Sequence, residues 1–414
     1  MPFERCILHC DMNNFYASVE CMLDMSLRNK PVAVCGSAEE RHGIVLAKNY
    51  IAKAYGVSTG EAIWQAKLKC KSLVIVPPHY EEYMKFSRLA RKIYERYTDL
   101  IEPYGMDECW LDVTGSEIFG SGEKIAYEIK ETIKRKLGLT VSVGVSFNKI
   151  FAKLGSDMKK PDAVTCIPRD SFKEKIWHLP AEDLLGVGRA TKKTFDSYCI
   201  KTIGDLARVS PEFLRLKFGK YGLDLWRFAN GEEASPVVVR AIEAPDKTVG
   251  HGMTTLADLE NSADVWAVML ELCQDIGHRL YTFNKRASGV AINIRDNKLF
   301  SKQWQCKLSC FTQSPSVIAK EAFELFTRSY AWEQPIRSVT VRAINLVSMD
   351  QSEQLSMFIS IEKQEKLEDL DKTIEALRAR FGNKIIRHAV LLNNKKIPQQ
   401  DNPELIMPTG MLGA

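Results

Sequence analysis

The sequence predicts a multidomain α+β chain, and three observations predict it. Strands and helices alternate from Cys6 to about residue 166, which suits a sheet with helices packed on it. From about Arg169 to Glu232 the pattern shifts to short helices broken by glycines. From Thr248 to Val347 the order is β-α-β-β-α-β, a complete small domain.

Residues 6–10 alternate and end at Asp11, so they read as a strand, with a helix over 14–23 behind it. Residues 31–35 and 44–47 are short apolar strands, and 49–55 and 61–69 are helical. A strand over 73–76 is closed by Pro77-Pro78. Apolar residues at helical spacing predict a long helix over 80–98. A strand over 108–113, a helix over 123–136 and a strand over 140–145 follow, then a helix over 148–158 that Pro161 stops. In the glycine-broken region, Leu184-Leu185-Gly186-Val187-Gly188 opens a helix that runs through Lys192 and Lys193. Glycines there let backbone amides face outward at a helix start, a ready place for a phosphate. The pattern resembles a helix-hairpin-helix; a plain helical turn is the alternative. Residues 232–247 are weakly patterned and read as a linker. Strands over 248–256, 287–294, 304–311 and 336–347 and helices over 262–283 and 316–330 build the last domain. Beyond it, 362–381 is a charged amphipathic helix, 384–392 is short and apolar, and the final residues read as disordered.

Composition sets outer bounds. The chain has 414 residues, 45% hydrophobic, which is ample for several cores. The net charge of +5 permits a polyanionic partner without requiring one. No run of roughly 18 apolar residues exists, which argues against a membrane span, and the start lacks a signal-peptide pattern. Eleven scattered cysteines and seven unclustered histidines argue for reduced thiols and against zinc. A soluble, cytoplasmic protein is expected, and nothing demands more than a monomer.

Two acidic clusters carry the chemistry. Cys10-Asp11-Met12 ends the first strand, and Met106-Asp107-Glu108-Cys109-Trp110-Leu111-Asp112 opens another. Charge beside a core is unfavourable unless paired or bound to a cation. Hard oxygen ligands suit Mg²⁺, and two Mg²⁺ ions on shared carboxylates suit phosphoryl or nucleotidyl transfer. Side chains alternate along a strand, so Asp107 and Glu108 must sit at a bend if both face one site; Gly105 makes a turn there plausible.

Five separated motifs in order resemble the Y-family translesion DNA polymerases of bacteria. They are residues 11–20, Asn49-Tyr50-Ile51-Ala52-Lys53, residues 106–112, Ser146-Phe147-Asn148-Lys149 continuing to Asp157–Pro161, and Gly186-Val187-Gly188. The resemblance covers nearly all of residues 1–350. It implies a right-hand architecture: palm over 1–18 and 77–166, small fingers over 19–76, a helix-hairpin-helix thumb over 167–232, a linker over 233–246, a little finger over 247–350 and a C-terminal extension over 351–414. The branch stays open between DNA polymerase IV and the UmuC-like enzymes; residues 41–48 and the helix after 360 look closer to the latter.

The resemblance also implies roles. Asp11, Asp107, Glu108 and the Met12 carbonyl would hold two Mg²⁺ ions; Tyr50, Lys53 and Lys160 would contact the deoxynucleoside triphosphate; Tyr16 would exclude the ribose 2′-hydroxyl. Gly186, Gly188, Lys192, Lys193, Lys285, Arg286, Arg295, Arg337 and Arg342 are candidates for gripping primer-template DNA through phosphates. Gln354, Leu355, Met357 and Phe358 resemble the bacterial sliding-clamp peptide. Gly105, Cys109 and Lys53 stand where the family commonly has Ser, Ala and Arg, and the last weakens bidentate phosphate binding. The implied activity is low-fidelity primer extension across damaged template, without proofreading. A nucleotide cyclase shares the paired carboxylates but leaves the hairpin unexplained, and a dead scaffold conflicts with an intact acidic trio.

Overall fold

The computed structural model describes residues 5–37, 41, 43–238, 247–351, 361–382, 385–392 and 394–398. They form two compact units: one from the chain up to 36 and from 45 to 238, the other from 247 onward together with the 37–44 segment.

The first unit begins β1 (Ile7–Met12), α1 (Phe15–Leu23), β2 (Val32–Cys35), β3 (Val45–Lys48), α2 (Tyr50–Ala54), α3 (Ile63–Lys69) and β4 (Val74–Val76). It continues α4 (Tyr80–Tyr94), β5 (Ile101–Pro103), β6 (Glu108–Asp112), α5 (Gly122–Leu137), β7 (Val141–Ser146), α6 (Lys149–Met158) and β8 (Val164–Ile167). Helices α7 (Phe172–Ile176), α8 (Arg189–Ser197), α9 (Ile203–Arg208) and α10 (Pro211–Ala229) complete it.

The main sheet has the order β5-β6-β1-β7-β8, with β1 antiparallel to both neighbours. Both faces of β1 are covered. Leu8, Cys10 and Met12 join a core with Ile125, Ile129 and Tyr94, while Ile7 packs with Trp110, Ala152 and Val237. The odd positions Ile7, His9 and Asp11 therefore share the face that α6 covers. Helix α6 approaches closely because β7 carries Gly144, where a Cβ would lie 1.9 Å from the Ala152 carbonyl oxygen.

Several sequence expectations change. β2, β3 and β4 form a sheet of their own rather than joining the main one. Helix α4 stops at Tyr94, four residues short, and Tyr97 instead packs edge-on to Phe119. β5 and β8 were not anticipated: each has only three or four residues and abuts a proline. The expected linker is docked in its first half. The Lys149 amide donates to Glu233 at 3.0 Å, Val237 is buried, and the Val238 amide donates to Glu102 at 2.8 Å. Residues 239–246 lie outside the described ones.

The second unit holds β9 (Thr248–Leu259), α11 (Ser262–Thr282), β10 (Lys285–Asp296), β11 (Ser301–Thr312), α12 (Pro315–Ser329) and β12 (Ile336–Ser348), the expected β-α-β-β-α-β. The sheet order is β11-β10-β12-β9, all antiparallel, with α11 and α12 on one face. Helix α13 (Ile361–Phe381) docks on α11 through His278 to Glu375 at 2.6 Å and Arg378 to Gln274 at 2.9 Å. The chain after it adds Leu391, from the stretch expected only to be short and apolar, and Ile397, from the residues expected to be disordered, to the same core.

Candidate active site

Strand pairing builds the site. Asp11 on β1 lies opposite Glu108, the first residue of β6, and His9 lies opposite Trp110. Asp107 precedes β6, at the end of a bend over 104–107, and its carbonyl accepts the Met12 amide at 3.1 Å. The bend resolves the alternation problem: only Glu108 is on the strand, so both acids reach one place.

Helix α6 supplies the countercharge. Lys153 Nζ is 2.8 Å from Glu108 Oε2, 3.5 Å from Asp11 Oδ2 and 3.3 Å from Asp157 Oδ2. Just past the helix, Lys160 Nζ is 2.7 Å from Asp11 Oδ2 and 2.8 Å from Asp157 Oδ1. Behind them His9 is fully buried, with Nδ1 2.8 Å from Ser156 Oγ. Burial holds the His9 imidazole below its ordinary range, against the pull of Glu108.

The three carboxylates are not equivalent. Burial, then the charges of Asp11 and Glu108, pushes Asp107 up to about 7. Burial and the charge of Glu108 push Asp11 up, against the pull of Lys160. Burial acts the same way on Glu108, but contact with His9 and Lys153 outweighs it and holds Glu108 at about 2. As placed, no three Asp, Glu, His or Cys side chains among the described residues converge tightly enough to form a finished metal cage, because the lysines draw Asp11 and Glu108 toward themselves. The donor set nevertheless fits hard cations. Glu108 Oε2 is buried without an aligned hydrogen-bond donor, and burial beside like charge raises Asp107 and Asp11, a penalty that a bound cation would relieve.

Tyr50 opens α2, whose start is pinned by Asn49: its Oδ1 accepts from the Ala52 and Val32 amides at 2.9 and 3.1 Å. Burial raises the Tyr50 hydroxyl, and Lys160 and Asp11 are close enough to act on it. Lys53 Nζ lies 5.7 Å from the Tyr50 ring. Lys53 is thus beside Tyr50, while Tyr50 and Lys160 border the acidic trio. Tyr16 does too: its hydroxyl lies 3.5 Å from Met106 Sδ and is pushed up to about 12 by burial and then by Asp107.

The basic candidates sort differently. Gly186 has φ +100°, a left-handed turn, and its carbonyl accepts from Tyr221; Gly188 caps α8 with open space in front of it. Lys192 and Lys193 are exposed, but Lys192 is paired with Glu182. In the second unit, Arg295 pairs across strands with Ser301 and Ser338, and Arg342 with Ala291 and Gly250. These share the face away from the helices with Asn293, Gln303, Thr340, Gln305 and Lys307, a face without carboxylates at those positions. Three candidates do not belong to it so simply. Lys285 sits at the start of β10 beyond a bulge, Arg286 donates to the Met349 and Gln351 carbonyls at 3.1 and 2.8 Å, and Arg337 lies beside Arg41 and Asp258. The peptide Gln354, Leu355, Met357 and Phe358 lies outside the described residues.

Sequence reasoning missed Lys153. Its signal was present in the spacing Lys149, Lys153, Asp157, one face of α6 at i, i+4. It also missed Gln303, Gln305 and Lys307, which alternate with the inward Trp304, Cys306 and Leu308.

Comparison with known proteins decides the family. The impB/mucB/samB family matches residues 10–157, and its C-terminal domain matches 246–357. DNA polymerase IV of Acetivibrio thermocellus is 51% identical over 393 residues, 95% of this chain and 98% of that protein. The chain belongs to this family of Y-family DNA polymerases. DNA polymerase IV 1 of Bacillus subtilis is 34% identical over 393 residues, 95% of this chain and 94% of that protein. A solved Y-family DNA polymerase chimera shares the fold, with a TM-score of 0.73 at 23% identity, over 83% of this chain and 99% of that one. The Y-family polymerase described here is therefore a DNA-directed DNA polymerase of the translesion class, on the DNA polymerase IV side rather than the UmuC-like one. Among the described residues no helix is long and apolar enough to cross a membrane.

Proposed function

We propose that this polymerase extends primers past damaged template bases, with low fidelity and no proofreading, through a two-Mg²⁺ centre on Asp11, Asp107, Glu108 and the Met12 carbonyl. The observation that carries the reading is the Asp11–Glu108 cross-strand pair flanked by Asp107, three acids on one face with Lys153 and Lys160 against them. Bound divalent cations lower the pKa of a primer 3′-hydroxyl and neutralise a triphosphate.

The chain's own groups do the rest. His9 and Lys153 keep Glu108 ionised, so a ligand oxygen is ready without losing a proton. Lys160, now 2.7 Å from Asp11, is the ammonium that an entering polyphosphate competes for, with Lys53 and the Tyr50 hydroxyl beside it. Tyr16 lies beneath the sugar and leaves no room for a 2′-hydroxyl. Residues 1–18 with 77–166 act as palm, 19–76 as fingers, 167–232 as thumb and 247–350 as little finger. The thumb grips phosphates through Gly186, Gly188, Lys192 and Lys193, and the little finger through the sheet face that carries Arg295, Arg342 and Lys307. The chain works as a cytoplasmic monomer and is tethered by the bacterial sliding clamp at residues 354–358.

Primer extension on a primed template with Mg²⁺, undamaged and carrying an abasic site, tests the function; extension of neither would refute it. Lys160→Ala should raise the apparent nucleotide KM about tenfold, the weight of one charge-assisted contact; an unchanged KM would remove Lys160 from the triphosphate site. Arg342→Ala should weaken DNA binding equally on unrelated sequences and reduce the slope of log affinity against log salt by about one. Loss confined to particular sequences would contradict backbone grip.

A further inference from the structure

The Tyr16 ring has a support. It lies parallel to the Tyr83 ring, centroids 4.3 Å apart and planes 9° apart, with Tyr80 edge-on to both. Tyr16 comes from α1 and Tyr83 from α4, and Tyr83 has no exposed surface. A polar tie fixes Tyr83 at its far end. Its hydroxyl donates to Glu20, which is only 4% exposed, and His79 Nδ1 lies 2.9 and 3.0 Å from the two oxygens of that carboxylate.

Packing alone does not call for this arrangement. Phenylalanine at 83 with an apolar residue at 20 would fill the same volume without desolvating a carboxylate. The buried acid instead fixes where the ring lies, since Tyr83 cannot slide or swing out without abandoning Glu20.

We propose that Tyr83, held by Glu20 and His79, is a positioning residue for ribonucleotide exclusion, the rigid shelf that keeps the Tyr16 ring flat beneath the nucleotide sugar. The inference rests on Tyr16 being the sugar gate. A gate rejects a hydroxyl only if it does not yield; a side chain free to rotate away relieves the clash and discriminates weakly. The stack removes that freedom by an amount that corresponds to about threefold to tenfold in a rate ratio.

The test is kcat/KM for one deoxynucleotide and its ribonucleotide on the same primed template, in wild type, Tyr16→Ala, Tyr83→Leu and the double variant. Tyr83→Leu should raise ribonucleotide use relative to deoxynucleotide use by about threefold to tenfold, with deoxynucleotide kcat/KM unchanged. In the Tyr16→Ala background the same substitution should add nothing, which a merely structural role would not produce. A wild-type ratio in Tyr83→Leu alongside a collapsed ratio in Tyr16→Ala would overturn the shelf and leave the gate standing. An unchanged ratio in Tyr16→Ala would overturn both. Should Tyr83→Leu fail to fold, Glu20→Ala keeps both rings and frees the Tyr83 hydroxyl; its ratio should move in the same direction by a smaller factor, and an unmoved ratio would overturn the proposal.

Discussion

Asp107→Asn should abolish primer extension, by a factor on the order of a thousand or more, while primer-template binding persists and the protein becomes more heat-stable. The two effects share one cause. Burial and the charges of Asp11 and Glu108 push Asp107 up to about 7, so its ionised form is strained in the folded chain. The ordinary value for the residue is 3.8, so the folded state holds a proton that the unfolded chain releases. Stability from this group is therefore present at low pH and is lost as pH rises toward about 7. Asparagine removes the titration. Without divalent cations, Asp107→Asn should melt with wild type near about pH 4, below the ordinary carboxyl value, and about 5 °C above it near about pH 8. Mg²⁺ should narrow that gap by raising the wild type alone. A variant less stable than wild type at high pH would mean that Asp107 is a structural cap rather than a strained ligand.

Lys153→Ala should act in the opposite direction. Lys153 contacts Glu108, Asp11 and Asp157, and its side chain is 12% exposed. Removing one partner of a buried ion pair leaves uncompensated charge and costs roughly 3–5 kcal/mol. Lys160 then faces the cluster alone among the cations described in contact with it. Extension should fall with stability, because Asp11 and Glu108 lose the ammonium that offsets their charge. Divalent cations should restore melting temperature more in Lys153→Ala than in wild type, since they supply the same charge to the same oxygens. Equal responses in both proteins would place the cations elsewhere.

Much of the site was legible because its acids and aromatics fall in contiguous motifs. Asp11 and Glu108 end or open apolar runs whose burial on both faces makes a carboxylate conspicuous. The β-α-β-β-α-β unit was legible because its strands are long and its helices strongly periodic. What was hidden depends on three-dimensional proximity. Lys153 looks like any helical lysine until Gly144 lets α6 settle on the sheet. Glu20 and Tyr83 are 63 residues apart and meet only when α1 and α4 pack. Short strands such as Ile101–Pro103 carry too few side chains to show a period, and a docked segment such as 233–238 is held by hydrogen bonds that composition does not reveal. The basic residues of the second unit could not be ranked from sequence, because strand register decides which of them share the open face.

The most direct test of the central claim is the number of Mn²⁺ ions bound, by electron paramagnetic resonance, in a complex with primer-template and a non-hydrolysable deoxynucleotide. The acidic trio as the metal centre predicts about two ions per chain in wild type and a loss of protein-bound Mn²⁺ when Asp11, Asp107 and Glu108 are replaced together by Asn, Asn and Gln. The same number of bound ions in wild type and in that triple variant would contradict it.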